Sequence, residues 1–235
     1  MMKHTVEVTQ SALTQMLLNG FEAFVIKHGN NKRSGIEFHA SIYGDIEVND
    51  KEDKCRSIIQ FISADTSAKM GSGSVDTSEE AEDLKEQLAE QMGVYRLGNM
   101  HSHPYLLEEM PLDEVRKRGC EFSAGDIECF LQQLERYESE DAYVLELVLT
   151  IKQLEKQNSA RDGRIAENAI EFSVGNCKCF LRAQTFMKDE QGELIAQPTE
   201  LLCEYLCSGQ VKLATVLESF QYKRSDSFGV NPPLY

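Results

Sequence analysis

Hydrophobic and polar positions along the chain follow two different periods, one typical of helices and one typical of strands. Apolar residues recur three and four positions apart over residues 11–25 and 127–134, which predicts amphipathic helices, and a polar helix is expected over residues 79–92 behind an N-cap at residues 76–78. Strands are predicted at residues 6–8, 35–48 (as two strands divided near residue 44), 58–62, 94–100, 142–151, 169–174 and 179–183. Strands that alternate with helices in this way predict an α/β layered domain.

The predicted elements divide the chain into a main domain, residues 1–183, and a C-terminal extension, residues 184–235. The extension contains one helical pattern over residues 200–220 and a polar tail, and its role is open. With 41% apolar and 27% charged residues, a chain of 235 residues can bury a sizeable core without disulfides or a structural metal. A metal site here would therefore serve function more than folding.

The charge balance and the cysteines limit which partners and which cellular compartment are expected. The formal net charge is −15, from 39 acidic and 24 basic residues, and such a field repels the phosphate backbone of nucleic acids. No apolar run approaches the ~20 residues of a membrane span, and no secretory signal opens the chain. The seven scattered cysteines, an odd number, favour free thiols in a reducing cytoplasm.

The candidate chemistry begins where the strand over residues 94–100 runs into His101, Ser102, His103 and Pro104. Side chains two positions apart in a strand share a face, so both imidazoles can reach one cation, and neutral imidazole is a good zinc ligand. The proline is expected to end the strand. A pair of this kind is also common on surfaces or in packed interiors without any metal.

A third ligand is available from Asp126, which lies in the first turn of the helix over residues 127–134. The free backbone N–H groups and the dipole at a helix N-terminus suit an anionic side chain there. Ser123 and Asp126 also have the spacing of a capping box, which needs no metal. The sequence alone leaves both interpretations open.

Glu37 is a fourth candidate residue for the site, beside the two histidines and Asp126. In isolation, a glutamate in a strand most often belongs to a solvated face. His39 shares the strand face of Glu37 and is a weaker candidate for the site, with a packing role or a supporting contact as the alternative.

Taken in order, these motifs resemble the JAB/MPN (JAMM) metalloprotease family. That family has a glutamate seven residues before a glycine that ends a strand, then a helix and a strand, then His-[Ser/Thr]-His-Pro, and then Ser-x-x-Asp at the start of a helix. The matching positions here are Glu37 with Gly44, residues 101–104 and residues 123–126. The resemblance covers roughly residues 5–152, extending towards 183, and the compact layout is similar to stand-alone bacterial JAB proteins.

The resemblance implies a fold, a cofactor and a role for each residue. The fold would be the three-layer, cytidine-deaminase-like MPN fold, a mixed sheet flanked by helices. His101, His103 and Asp126 would hold one Zn²⁺, Glu37 would act as general base and then acid, and Ser123 would donate to the developing oxyanion. The substrate would be a peptide or isopeptide bond at the C-terminus of ubiquitin or a ubiquitin-like protein.

One departure from the family pattern is the segment between the second histidine and the serine. Residues 104–122 separate His103 from Ser123, which is longer than the family usually has. We interpret these residues as an inserted loop at the rim of the site, where it could gate access or bind substrate.

Three rival interpretations stand beside this one, and the sequence excludes the second of them. A non-catalytic MPN module of a larger assembly is the main alternative, although all five site positions are filled here. A zinc deaminase would need His-x-Glu and Pro-Cys-x-x-Cys strings, and neither is present. A second, structural zinc on Cys177, Cys179, Cys203 and Cys207 is conceivable, but buried free thiols are the default, and Cys120 shows no base beside it that would make it a nucleophile.

Overall fold

The computed structural model describes residues 3–25, 35–49, 54–65, 69–70, 75–76, 78–135, 142–189 and 191–207. Its helices are α1 (Gln10–Val25), α2 (Glu79–Gln91), α3 (Leu112–Glu114), α4 (Ala124–Glu135) and α5 (Glu204–Cys207), and a π-helical turn, Val115–Gly119, follows α3 directly. The helices predicted over residues 11–25, 79–92 and 127–134 are therefore confirmed as α1, α2 and α4. None of the helices in these ranges is long and apolar enough to cross a bilayer.

The strands build one large mixed sheet, which makes the protein an α/β structure. They are β1 (Lys3–Val8), β2 (His39–Asn49), β3 (Lys54–Ala64), β4 (Lys69–Met70), β5 (Val75–Asp76), β6 (Tyr95–Tyr105), β7 (Tyr143–Gln153), β8 (Gly163–Ala166), β9 (Ala169–Val174), β10 (Cys177–Lys188), β11 (Leu194–Ala196) and β12 (Thr199–Leu202). Within the described ranges the sheet order is β12-β1-β3-β2-β6-β7-β10-β9-β8, β11 pairs with β10, and β4 and β5 form a separate hairpin. The pairs β1–β12, β1–β3 and β6–β7 are parallel and the others are antiparallel.

Strand β7 lies in the middle of the sheet and is covered on both faces, which explains its nearly continuous apolar sequence. Its odd-numbered residues, such as Leu147 and Leu149, join the main core, which α1 covers. The approach of α1 is close, because a Cβ added at Gly20 would lie 2.8 Å from the Leu149 side chain. One face of the sheet is therefore closed by α1.

Helix α4 packs on the opposite face. Phe130 and Leu134 of α4 cluster with Val144 of β7 and Phe186 of β10. Because successive side chains of a strand alternate between faces, Val144 points away from the α1 side. The sheet thus has helices on both faces, and the α4 side carries the candidate site.

The two strands predicted over residues 35–48 are one strand, so that prediction was wrong. β2 runs from His39 to Asn49, and its register against β3 shifts between Tyr43 and Gly44. A Cβ at Gly44 would lie 1.8 Å from the Ile58 carbonyl oxygen, so the glycine permits a close backbone approach at a bulge. The residue that was expected to divide the segment instead lets it continue.

The prediction that Pro104 ends its strand was also wrong, since β6 continues to Tyr105. Pairing of β6 with β2 ends at the His39–His101 pair, whereas pairing with β7 continues through Pro104 and Tyr105. The proline therefore occupies a position with a strand neighbour on one side, where a missing N–H is tolerated.

The C-terminal part of the described chain belongs to the sheet. β10 crosses the boundary predicted after residue 183, and β12 pairs with β1 in parallel. The helix predicted over residues 200–220 begins instead at Glu204, because residues 200–202 complete the β12 edge of the sheet. The rest of that predicted helix and the polar tail lie outside the described residues.

Candidate metal centre

Two histidines on β6 face the same side of the sheet, as strand geometry requires. Their Nε2 atoms lie 3.2 Å apart, and both side chains are largely buried, with 10% and 12% exposed. His101 pairs in register with His39 of β2 and with Val148 of β7, so its backbone is held on both sides. The central strands of the sheet thus fix both imidazoles.

Asp126 reaches these histidines from the first turn of α4. Its Oδ2 lies 3.5 Å from the Nε2 of His101 and 3.8 Å from the Nε2 of His103. The three side chains form a group that could hold a metal ion, and their ligand atoms all lie within 4.8 Å of one another. The structure therefore brings together the three residues that the sequence singled out as ligands.

The spacing of these atoms suits a tetrahedral metal. Ligands bound at ~2.0–2.1 Å in tetrahedral geometry lie ~3.3–3.4 Å from each other. The three separations, 3.2, 3.5 and 3.8 Å, lie on either side of that value and within about 0.5 Å of it. Two nitrogens and one carboxylate oxygen also match the donor set of catalytic zinc sites, which leave a fourth position open.

Asp126 also closes the N-terminus of its own helix. The Ser123 amide donates to Asp126 Oδ2 at 2.6 Å, and the Asp126 amide donates to Ser123 Oγ at 3.2 Å. This reciprocal pair is a capping box. The capping and ligand interpretations of Ser-x-x-Asp are thus compatible, because the carboxylate that closes the cap also faces the histidines.

The protonation of the group is set by burial and by mutual charge. Burial opposes ionisation of Asp126, but hydrogen bonding and the charge of His101, with bonds from Ser123, lower the pKa of this carboxyl. Burial also works against the charged form of His101, and Asp126 outweighs it and raises the pKa of His101. Burial and the neighbouring His101 lower the pKa of His103 to about 4, so His103 is neutral at pH ~7.

The outward nitrogen of His103 has its own partner. His103 Nδ1 lies 3.2 Å from the carbonyl oxygen of Gly119, in the inserted segment. A carbonyl can only accept a hydrogen bond, so Nδ1 carries the proton and Nε2 keeps its lone pair. That lone pair is directed towards His101 and Asp126, as metal binding requires.

Glu37 lies just ahead of β2 and is half-buried. Its neighbour Phe38 is joined to the middle of the His-Ser-His segment, because the Phe38 amide donates to Ser102 Oγ and the Ser102 amide donates to the Phe38 carbonyl, both at 2.9 Å. Burial raises the pKa of Tyr105 and works against the charged form of His101, and the charge of Glu37 acts to raise the pKa of both. Its carboxylate is therefore within electrostatic reach of the candidate centre.

His39 lies beside Asp65 and not in the group formed by His101, His103 and Asp126. His39 Nδ1 lies 3.8 Å from Asp65 Oδ2, and Asp65 is 1% exposed and also lies 3.6 Å from the Lys85 ammonium. Among the described residues His39 is not part of the group that could hold a metal. This placement favours a supporting role beside Asp65.

The inserted segment, residues 104–122, is fastened to the sheet at several points. The buried Lys152 ammonium donates to the carbonyl oxygens of Leu106, Leu107 and Glu109 at 2.5, 3.1 and 3.0 Å. Farther along, Arg182 donates to the Cys120 carbonyl at 3.0 Å and pairs with Glu121 at 2.7 Å. These contacts hold the segment on the sheet beside the candidate site.

A polar network that the sequence analysis missed joins α4 to the strand of the histidines. The Asn99 amide donates to Gln133 Oε1 at 3.0 Å and to Glu146 Oε1 at 3.1 Å, while Arg96 donates to Asn99 Oδ1 at 2.7 Å. Burial raises the pKa of Glu146 to about 7. Asn99 lies two residues before His101 on the same face, and this spacing was the only signal in the sequence.

The described cysteines show no second metal group and no disulfide. Five of them are buried and Cys129 is exposed, and all six are free. Burial raises the pKa of Cys177 to about 12 and that of Cys179 well above its usual range, so both thiols are protonated. The side chain of Cys207 lies outside the described part of the chain.

Comparisons with known proteins add little to this geometry. No protein-family model matches the chain, and no curated protein matches it. Among solved structures, the chain is similar to the solution structure of a protein from Desulfitobacterium hafniense, with a TM-score of 0.44 and 13% identity over 85% of this chain and 94% of that one. Similarity at this level gives no information on function.

Proposed function

We propose that the protein is a zinc-dependent peptidase of the JAB/MPN (JAMM) type. The observation that carries this proposal is the near-tetrahedral spacing of His101, His103 and Asp126, with separations of 3.2, 3.5 and 3.8 Å. The ordered motif Glu37, His-Ser-His-Pro and Ser-x-x-Asp supports it, and so does an α/β sheet with helices on both faces. On this proposal the sheet is an MPN-type fold and the free thiols belong to a cytoplasmic protein.

The proposed chemistry is hydrolysis of an amide bond. Zinc in such a site supplies Lewis-acid polarisation of the scissile carbonyl and lowers the pKa of a water molecule from ~15.7 towards ~7. Glu37 takes the proton from the attacking water and later delivers it to the departing amine, which a carboxylate near the site can do.

Ser123 is proposed to stabilise the oxyanion. Its Oγ already accepts a hydrogen bond from the Asp126 amide, so its hydroxyl proton can be directed at a substrate oxygen. A single donor of this kind contributes ~3 kcal/mol to the transition state in comparable sites. Ser123 is exposed, which leaves it accessible to substrate.

The proposed substrate is the C-terminal tail of ubiquitin or of a ubiquitin-like protein, alone or conjugated to a lysine. An extended tail can add main-chain hydrogen bonds to a strand near the site. The net charge of −15 would favour a basic tail or a lysine-bearing target.

The test combines zinc analysis with a cleavage assay on ubiquitin-like fusion proteins. Glu37→Gln should keep one zinc per chain and abolish turnover. Glu47→Gln is the matched control, because Glu47 lies on the adjoining strand β2, is 60% exposed and pairs with Arg56. Full turnover by the Glu37→Gln protein with zinc bound would refute the assignment, and zinc binding without turnover in the parent would favour the non-catalytic MPN module.

A further inference from the structure

The inserted segment contacts the candidate metal centre through the carbonyl oxygen of Gly119. That oxygen accepts from His103 Nδ1 at 3.2 Å and from the Thr150 hydroxyl at 3.3 Å. Thr150 is the register partner of His103 on β7, so strand and insertion hold the carbonyl between them. The position of Gly119 therefore decides which tautomer His103 adopts and where its Nε2 is aimed.

Gly119 is the last residue of the π-helical turn Val115–Gly119, and that turn is anchored by Arg116. The Arg116 Nε donates to Glu171 Oε2 at 2.9 Å and its Nη2 donates to Glu171 Oε1 at 2.8 Å. Two parallel bonds between a guanidinium and a carboxylate fix orientation as well as distance. Glu171 lies on β9 and is 1% exposed, so the carboxylate that holds Arg116 is buried in the sheet.

A second cation keeps this carboxylate in place. Lys178 of β10 is fully buried, and its ammonium lies 3.1 Å from Glu171 Oε1 and 2.5 Å from Asp162 Oδ1. The Glu171 carboxylate thus lies between two cations, Arg116 and Lys178. A buried ion pair is often no more stabilising than apolar packing of the same volume, whereas removing one partner leaves an uncompensated buried charge. The Arg116–Glu171 pair is therefore sensitive to substitution of either residue.

We propose that Arg116 and Glu171 are positioning residues for the metal, since their ion pair holds Gly119 where its carbonyl orients His103. This inference rests on the proposed metal site, and it assigns the inserted segment a fixed, orienting role. Neither residue touches a ligand directly. Their effect passes through the backbone of the π-helical turn.

The experiment measures Zn²⁺ affinity by competition with a chromophoric chelator in the full-length protein. Glu171→Gln and Arg116→Met should each weaken zinc binding ~10–100-fold, the usual effect of removing a partner behind a metal-bound histidine. Arg116→Lys keeps the charge but loses the fork, so it should fall between these variants and the parent. Asp113→Asn is the control, because Asp113 contacts the same guanidinium at 2.9 Å but is 79% exposed, and it should leave the affinity unchanged.

A second readout needs no metal. Nitrogen-15 NMR of the metal-free protein should show His103 protonated on Nδ1 in the parent and in Asp113→Asn, and a mixture of tautomers in Glu171→Gln and Arg116→Met. Variants that fold, bind zinc like the parent and keep the Nδ1–H tautomer would overturn the inference while leaving the proposed function intact. A parent protein that binds no zinc would count against the proposed function, and the tautomer spectra would still decide the positioning role. Should Glu171→Gln not fold, Arg116→Lys and Arg116→Met carry the test.

Discussion

The double role of Asp126 leads to a prediction that separates helix capping from metal binding. Ser123 and Asp126 share the capping box, but only Asp126 faces the histidines, at 3.5 and 3.8 Å. Replacing either residue should therefore disturb the cap, whereas only one replacement should remove a ligand. We compare Ser123→Ala with Asp126→Asn, which keeps the size of the side chain and removes its charge.

The first quantity to compare is the free energy of unfolding of the metal-free protein. Loss of a cap of this kind costs about 1 kcal/mol, so Ser123→Ala should lower the free energy of unfolding by that amount. Asp126→Asn should lower it further, because it also removes the partly buried ion pair with His101. The pKa of Asp126 is lowered in the folded state, so its contribution is present above the unfolded value of 3.8 and is lost as pH falls through the folded pKa. The pair also needs His101 protonated, and because the pKa of His101 is raised in the folded state, the contribution is complete only below the ordinary value of 6.5. Denaturant unfolding at pH ~5–6 therefore measures it in full.

The second quantity to compare is zinc affinity, and here the two variants should differ. Ser123→Ala should bind zinc within a few-fold of the parent, while its turnover falls ~10²–10³-fold through loss of the oxyanion donor. Asp126→Asn should bind zinc at least ~100-fold more weakly, since loss of a ligand should exceed the ~10–100-fold effect of losing a supporting partner. Parent-like zinc affinity in Asp126→Asn would show that Asp126 is a helix cap and nothing more.

Three further predictions concern the surroundings of the site. Burial raises the pKa of Glu146 from 4.5 to about 7, so the folded state loses stability as pH rises between those values, and metal-free Glu146→Gln should gain about 2–3 kcal/mol relative to the parent between pH ~5 and ~8, measured by denaturant unfolding. Gly44→Ala should destabilise the protein by about 1–3 kcal/mol or more, because the new Cβ would lie 1.8 Å from the Ile58 carbonyl, and an unfolding midpoint equal to that of the parent would contradict the bulge geometry. Lys152→Met should leave the carbonyl of Leu106 and its neighbours without their donor and speed amide hydrogen exchange in the first part of the inserted segment, and unchanged exchange there would show that the ammonium is not the anchor.

Sequence periodicity predicted those elements whose structure depends mainly on their own residues. Helices α1 and α4 have apolar residues on one face, and β7 has apolar residues on both, so local pattern and final packing agree. The wrong predictions concern elements whose structure depends on pairing with a distant segment. β2 continues past Gly44 because β3 closes against it, and residues 199–202 form a strand because β1 offers them a free edge.

The same distinction separates the predicted site residues from those that were missed. The grouping of His101, His103 and Asp126 could be predicted because strand and helix-cap geometry assign each side chain a direction from a few neighbouring residues. The Asn99–Gln133 bond spans 34 positions and the Arg116–Glu171 pair spans 55, and no local pattern links residues so far apart. The Gly119 contact uses a backbone carbonyl, which the side-chain sequence does not reveal.

The inserted segment makes the connection between His103 and Asp126 longer than is usual in the family that the sequence resembles, yet the two side chains lie 3.8 Å apart. Entropy opposes a long excursion between two ligands only where the excursion is flexible. Here Lys152 holds the start of the segment, Arg182 holds its end, and the π-helical turn between them returns a carbonyl to His103. The segment begins beside His103 and ends at the cap that Ser123 and Asp126 form. A longer connection of this kind adds the Gly119 contact to the candidate centre without displacing the helix that brings Asp126 to it.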